Sequence, residues 1–269
     1  MKISFMTFAC PQWPASQVID AAVRHGYHGI EWRIDAKHEH GVEIASSSDD
    51  RQAIRQQHRD TDIAPCCLAT SLHFVKSESV EESKPRIELA ADLGCPGLRV
   101  FCGPKPDDMD MPQVIESVAT NLRAAAEFAQ QHGVELWLET HDTFCKAEPA
   151  VAAVRAADHP SIGINYDNMH PYRMGEPLET TSQLLDGLIR HTHFHDAVGK
   201  PDVVQIKPVG EGDLPMDEMM ELLVEQKFSG YLSGEWFNDQ YGADSDEALA
   251  RYHNDMSNLA KQAGVTLAD

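Results

Sequence analysis

Short β-type runs alternate with amphipathic helical stretches along the whole chain, and this alternation narrows the choice of fold more than any other feature. Strands are predicted at 3–9 (ISFMTFA), 29–35 (GIEWRID), 65–72 (PCCLATSL), 97–103 (GLRVFCG), 135–140 (ELWLET), 162–167 (IGINYD), 190–197 (RHTHFHDA) and 231–237 (YLSGEWF). The stretches between them carry a 3.6-residue period. Ile115, Val118, Leu122, Ala125 and Ala129 form one apolar stripe that Gly133 is placed to end, and Leu249, Tyr252, Met256, Leu259 and Ala263 form another ahead of Gly264. Strands that alternate with helices must be joined by crossovers and therefore lie parallel. Eight such units in 269 residues, about one per 34, predict an α/β fold: a (β/α)8 TIM barrel forming a single domain over 1–269. An open doubly wound sheet is the alternative, but no GxGxxG follows the first strand to cradle a dinucleotide phosphate. The longest irregular pieces, 36–49 and 198–215, both follow strands and so fall on the face where barrels place their active sites.

Charge excludes one large class of partner. The chain has 22 Lys plus Arg against 43 Asp plus Glu, a net charge of −21, whereas gripping a phosphate backbone requires positive potential. Nucleic acid is therefore not an expected partner. No apolar run approaches the roughly 18 residues of a membrane span, so no membrane partner is expected either. The opening MKISFMTFACPQW carries one Lys and an apolar run broken by Pro11, and reads as a first strand, not a secretory signal. Six cysteines (Cys10, Cys66, Cys67, Cys95, Cys102, Cys145) make no CxxC pair, which fits reduced thiols in a cytoplasmic protein. Strand alternation predicts that Cys66 and Cys67 point to opposite faces.

Within IRHTHFHDAV (189–198), His191, His193 and His195 occupy every second position of a predicted strand and so share one face. A polar barrel interior with hydrogen-bonded histidines would look the same, and the neighbouring strands decide between the readings. In ELWLETHD, Leu136 and Leu138 oppose Glu135, Trp137, Glu139 and His141; in IGINYD, Ile162, Ile164 and Tyr166 oppose Gly163, Asn165 and Asp167; in YLSGEWF, Leu232, Gly234 and Trp236 oppose Tyr231, Ser233 and Glu235. The apolar parity faces the helices, which turns Glu139, Asp167, His193 and Glu235 inward near the carboxyl ends of successive strands. Three carboxylates and an imidazole buried together repel unless a cation joins them. This oxygen-rich set suits one divalent metal ion: Mn²⁺, Mg²⁺, Co²⁺ or Zn²⁺.

The ordered strings ETHD (139–142), YDNMH (166–170), HTHFHDA (191–197) with GEGD (210–213), and GYLSGEWF (230–237) resemble the xylose isomerase-like TIM barrel superfamily, which holds sugar isomerases and epimerases, inosose dehydratases and endonuclease IV. The resemblance runs from the first strand to the last helix. It implies that Glu139, Asp167, His193 and Glu235 are the metal ligands and that Glu139 and Glu235 also transfer protons. It makes His170 a substrate contact. This chain has His195 where many relatives carry a Lys, and Lys200 is the nearest cation to the position where ketose 3-epimerases hold an Arg. The Asp-x-His that endonuclease IV carries before its GEG turn falls here on Val204 and Ile206, and Phe101 and Cys102 stand where that enzyme has a His.

Other candidate substrate-binding residues are His195 and His141 on the inward parity, Glu31 and His73 near the ends of strands 2 and 3, and Trp13 after strand 1. Structural roles account for Glu31, His73 and Trp13 equally well. His191 is expected deeper, filling the barrel. The reading that results is a metal-dependent isomerase or epimerase of a sugar or polyol ketone, in which glutamates move a proton through an enediolate. A dehydratase on the same site is the alternative, with a nuclease or a binding-only barrel behind it. The expected partner is a small-molecule sugar or polyol, and self-association into a homo-oligomer is left open.

Overall fold

Each predicted strand run has its counterpart in the computed structural model, which describes residues 1–237, 240–242 and 244–268. β1 (Lys2–Met6), β2 (Gly29–Arg33), β3 (Ala64–His73), β4 (Gly97–Phe101), β5 (Glu135–Glu139), β6 (Ile162–Asp167), β7 (Ile189–His193) and β10 (Tyr231–Gly234) pair in sequence order, and β10 returns to β1 to close the barrel. Every pairing within it is parallel. The outer layer comprises α1 (Ala15–His25), α2 (Ser48–Thr61), α3 (Glu78–Leu93), α4 (Met111–Gln131), α5 (Ala147–Ala157), α7 (Leu178–Leu185), α8 (Met216–Glu225) and α9 (Ser245–Gln262), with a short α6 (Met169–Arg173) directly after β6. The fold is the predicted (β/α)8 barrel, and among the described residues no helix is long and apolar enough to cross a membrane.

Local chemistry sets the helix boundaries. Ser47 with Asp50, and Asp110 with Gln113, form reciprocal capping boxes at the starts of α2 and α4. Gly94 ends α3 at φ 83°, where a Cβ would be strained. Val118, Leu122, Ala125 and Ala129 are buried in α4 as the stripe requires, although Val114 takes the core position at its start and Ile115 is only half-buried. In α9, Leu249, Tyr252, Met256 and Leu259 are buried, while Ala263 falls on the C-cap.

Three strands, β1, β7 and β10, end three or four residues earlier than the sequence predicts. β1 gives way at Thr7–Ala9 to a 3-10 turn, and β10 ends at Gly234, so Glu235 lies one residue beyond it. β7 ends at His193 because the Asn168 side chain captures the His195 backbone, accepting its N–H (3.1 Å) and donating to its carbonyl (3.0 Å). The chain then turns aside: β8 (Asp196–Ala197) pairs antiparallel with β9 (Ile206–Lys207), a small ribbon absent from the sequence prediction. His195 is consequently placed by Asn168, not by strand alternation. A second correction concerns Cys66 and Cys67, which fall in one buried cluster with Trp137 instead of on opposite faces. The register slips between Ile30↔Pro65 and Glu31↔Cys67, a bulge that inserts Cys66 and breaks the alternation. All six cysteines are free and buried.

Candidate metal centre

Strand ends bring four donor side chains to one point. Glu139 ends β5, Asp167 ends β6, His193 ends β7 and Glu235 follows β10, and one ligand atom from each lies within 4.8 Å of all the others. His193 Nδ1 is 3.0 Å from Glu139 Oε1, 3.0 Å from Glu235 Oε2 and 4.0 Å from Asp167 Oδ2. Asp167 is divided between two tasks. Its Oδ1 accepts the backbone N–H groups of Met169 (2.8 Å) and His170 (3.3 Å) as α6 begins, while Oδ2 is buried with no hydrogen-bond partner. Glu139 Oε2 is likewise buried and without one.

The electrostatics show what the cluster lacks. Burial, then Glu139 and Glu235, raise the Asp167 carboxyl above its usual range despite His195 and His193. Burial would raise Glu235 too, but His193 outweighs it and holds that carboxyl well below the ordinary carboxylate range. His193 is the counterpart: burial disfavours its charge, yet Glu235, Glu31 and Glu139 together push its pKa well up. The protein by itself therefore balances three carboxylates with a shared imidazolium and the buried guanidinium of Arg99. A buried Asp167 oxygen without a hydrogen bond, together with ligand atoms of Glu139, His193 and Glu235 gathered within 4.8 Å of one another, fits a divalent cation of mainly oxygen preference.

Behind this cluster the barrel orients His193. Its Nε2 lies 3.0 Å from Glu31 Oε1, so Nε2–H donates to Glu31 and Nδ1 is left to face the carboxylates, which is how an imidazole ligand is usually held. Glu31 is fixed in turn by His191 Nε2 (2.9 Å) and Ser233 Oγ (2.7 Å). Burial would raise its carboxyl, but His193 and His191 outweigh burial and hold it well below the usual range. Glu31 is fully buried beneath the cluster, so the expectation that it meets substrate is replaced by a role in orienting His193.

Two functional-site cations escaped the sequence reading. Arg99 on β4 is buried with Nε 3.2 Å from Glu139 Oε2; its Nη1–H donates to the Thr70 carbonyl (2.9 Å), and its guanidinium lies 4.1 Å over the Phe101 ring. Arg33 at the end of β2 donates to the Ala69 carbonyl (3.2 Å), Ser71 Oγ (2.6 Å) and the Ile34 carbonyl. Burial, reinforced by Arg99, brings its pKa down to about 10. The signal was available: Arg99 stands between Leu98 and Val100, and Arg33 two residues after Glu31, both on the inward parity.

Aromatic rings edge the mouth beside these strands. His73 packs on Phe101 (centroids 5.9 Å apart), Phe101 on His141 (4.8 Å) and His141 on His170 (4.4 Å). His141 Nδ1 is 2.8 Å from Asp142 Oδ1; burial disfavours its charge, but this hydrogen bond and nearby Glu139 outweigh burial and raise its pKa. Burial, then His141 and Arg173, keep His170 neutral well below the usual histidine range. His195 is buried with Nε2 3.7 Å from Asp167 Oδ1, and neither ring nitrogen has a hydrogen-bond partner. Trp13 is half-buried after the Thr7–Ala9 turn and packs against the core.

A closed parallel barrel with this donor set at its carboxyl-end mouth defines a TIM barrel carrying a candidate metal centre. The particular family is the xylose isomerase-like TIM barrel: the chain belongs to it, and the family model matches residues 19–262. Fructoselysine 3-epimerase of Shigella flexneri is 24% identical over 246 residues, covering 86% of this chain and 88% of that protein. 3-Dehydroshikimate dehydratase of Bacillus anthracis is 23% identical over 240 residues, 82% of this chain and 85% of that one. The crystal structure of IolI protein with a zinc atom shares the fold, with TM-score 0.86 at 21% identity over 98% of this chain and 99% of that one. The relatives thus include an epimerase and a dehydratase, and a structural neighbour carries zinc.

Proposed function

We propose that the protein is a divalent-metal-dependent isomerase or epimerase of a sugar or polyol ketone, working by proton transfer between Glu139 and Glu235. The observation that carries this reading is the placement of these two carboxylates. They come from strands three positions apart around the barrel, yet each has an oxygen 3.0 Å from the same His193 nitrogen. Glu139, Asp167, His193 and Glu235 would hold the metal, which when bound polarises a substrate carbonyl and the neighbouring hydroxyl and acidifies the intervening C–H.

The side chains of the chain itself account for the rest. One glutamate removes the carbon-bound proton and the other returns a proton from a different direction. Return to the opposite face of the same carbon epimerises it, and return to the adjacent carbon interconverts aldose and ketose. Arg99, with Nε 3.2 Å from Glu139 Oε2, fixes the direction in which that carboxylate faces. His170, His141 and His195 surround the space next to the cluster and are proposed to bind substrate, with His73 and Trp13 farther out on the mouth.

Dehydration is the second reading, favoured by the likeness to 3-dehydroshikimate dehydratase. It uses the same first step and then expels a β-hydroxyl instead of returning the proton. The excess of 43 acidic over 22 basic residues and the six free cysteines support a cytoplasmic protein that does not bind nucleic acid. The test is to incubate the protein with Mn²⁺ and a panel of ketoses and inosose-type ketones in deuterated water. Deuterium at the exchangeable carbon, lost in Glu139→Gln, supports the proposal; loss of water from the labelled substrate selects the dehydratase. Failure to label any substrate, or incision of an abasic DNA duplex that Glu139→Gln abolishes, overturns it.

A further inference from the structure

We propose that Arg173 is a positioning residue: it fixes His170 as an Nε2–H donor facing the pocket and keeps that imidazole out of the coordination of any cation. The catalytic part of this inference rests on the function proposed above; the tautomer assignment does not. α6 starts two residues after Asp167, so His170 and Arg173 stand three residues apart on one helical face. Arg173 Nε is 2.9 Å from His170 Nδ1. A guanidinium offers only donors, so Nδ1 must accept, and the single proton of the ring is then on Nε2. That nitrogen lies 3.8 Å from Asp167 Oδ2, beyond hydrogen-bond length, so Asp167 does not consume its proton.

The guanidinium is itself anchored. Arg173 Nη2–H reaches Cys145 Sγ at 3.3 Å, and Nη1–H donates to the Pro201 carbonyl in the segment between β8 and β9. Two attachments besides His170 hold the fork in place, so the tautomer does not depend on a freely rotating surface side chain. There is a consequence for metal stoichiometry. Glu139, His141 and His170 are close enough together to hold a cation of their own. A ring protonated on Nε2 with Nδ1 already accepting from Arg173 has no lone pair to give it. The Glu139, His141 and His170 group should therefore take up no ion of its own, with His170 left to donate to a substrate oxygen.

The test uses the full-length metal-free protein labelled with ¹⁵N-histidine, with His170 assigned by its loss in His170→Gln. Long-range ¹H–¹⁵N correlation should show His170 protonated on Nε2 in the native protein and a mixture of tautomers in Arg173→Leu. Mn²⁺ titration should give one equivalent in the native protein and a second, weaker one in Arg173→Leu. With the substrate found by deuterium labelling, kcat/KM of Arg173→Leu should fall about 10- to 100-fold, as expected when a binding group loses its orientation, with affinity for the first Mn²⁺ within about twofold. A native His170 protonated on Nδ1, or a tautomer unchanged in a folded Arg173→Leu, overturns the proposal. The native spectrum decides the tautomer even if the variant does not fold, and it needs no substrate, so a wrong function and a wrong tautomer give different results.

Discussion

His191 and His193 stand two residues apart on one face of β7, yet they face opposite environments. His191 belongs to the barrel floor, stacked on Trp137 with centroids 5.5 Å apart, above the cluster of Cys66, Cys67, Trp137 and Tyr231. His193 belongs to the mouth, with Nδ1 among three carboxylates. The floor is packed to contact: a Cβ at Gly97 would run into the Trp137 ring, and one at Gly29 into Tyr231. The mouth instead leaves Glu139 Oε2, Asp167 Oδ2 and both ring nitrogens of His195 buried without hydrogen bonds. Glu31 marks the boundary, since one carboxylate oxygen takes His191 and the other His193. The difference teaches that close side-chain packing fills one end of the barrel interior, while carboxylates crowded around an imidazole occupy the other.

The comparison breaks first if catalysis does not reside at the mouth. Glu139→Gln and Glu235→Gln should each lower turnover by about 10² to 10⁴, the usual worth of a general acid or base, while Mn²⁺ still binds detectably. Near-normal turnover with metal bound would move proton transfer to His170 or His195. At the floor the opposite pattern is expected. Trp137→Ala should cost about 3–5 kcal/mol in urea unfolding, while the variant that remains folded keeps its Mn²⁺ affinity. A loss of metal affinity as large as the loss of stability would show that the two ends are one unit.

Glu31→Gln sharpens the boundary. It retains shape but weakens the hold on His193 Nε2–H, so Mn²⁺ affinity should fall about 10- to 100-fold by titration. The smallest effect lies in the loop beside the mouth. His40 is buried, accepting the Val42 N–H at Nδ1 (3.0 Å) and donating from Nε2 to the Arg33 carbonyl (3.0 Å), with His38 packed against its ring. Burial brings its pKa down to about 4, only partly offset by the Arg33 bond. The unfolded chain, near 6.5, binds the proton first. The stabilisation is therefore complete above about pH 6.5 and lost as pH falls toward 4, costing about 2 kcal/mol between pH 7 and 5. His40→Gln should flatten this slope in urea midpoints measured across that range, and an unchanged slope would remove His40 as its source.

Much of the site was legible before the fold was known. Inward parity places Glu139, Asp167 and Glu235 together without any distance information, because side chains alternate along a strand wherever that strand lies. Parity failed where the ladder is interrupted: at the Cys66 bulge, and beyond His193, where Asn168 redirects the chain. It also carries no depth. Glu31 and Arg33 share a face on β2, yet Glu31 lies beneath His193 and Arg33 at the strand's end, bound to backbone carbonyls and Ser71.

What the sequence alone determined is therefore what repeats locally: the alternation of units, the apolar faces that bury the helices, and the parity that turns acids inward. The tertiary structure decided which of those inward groups meet. Glu31 reaches His191 and His193 across 160 and 162 residues of chain, and Arg99 reaches Glu139 from the neighbouring strand. Hydrogen-bond roles were decided there too. The Nε2–H of His193 is directed by Glu31 and the tautomer of His170 by Arg173, and the first of these contacts exists because closing the barrel brings β2 and β7 within reach across one interior.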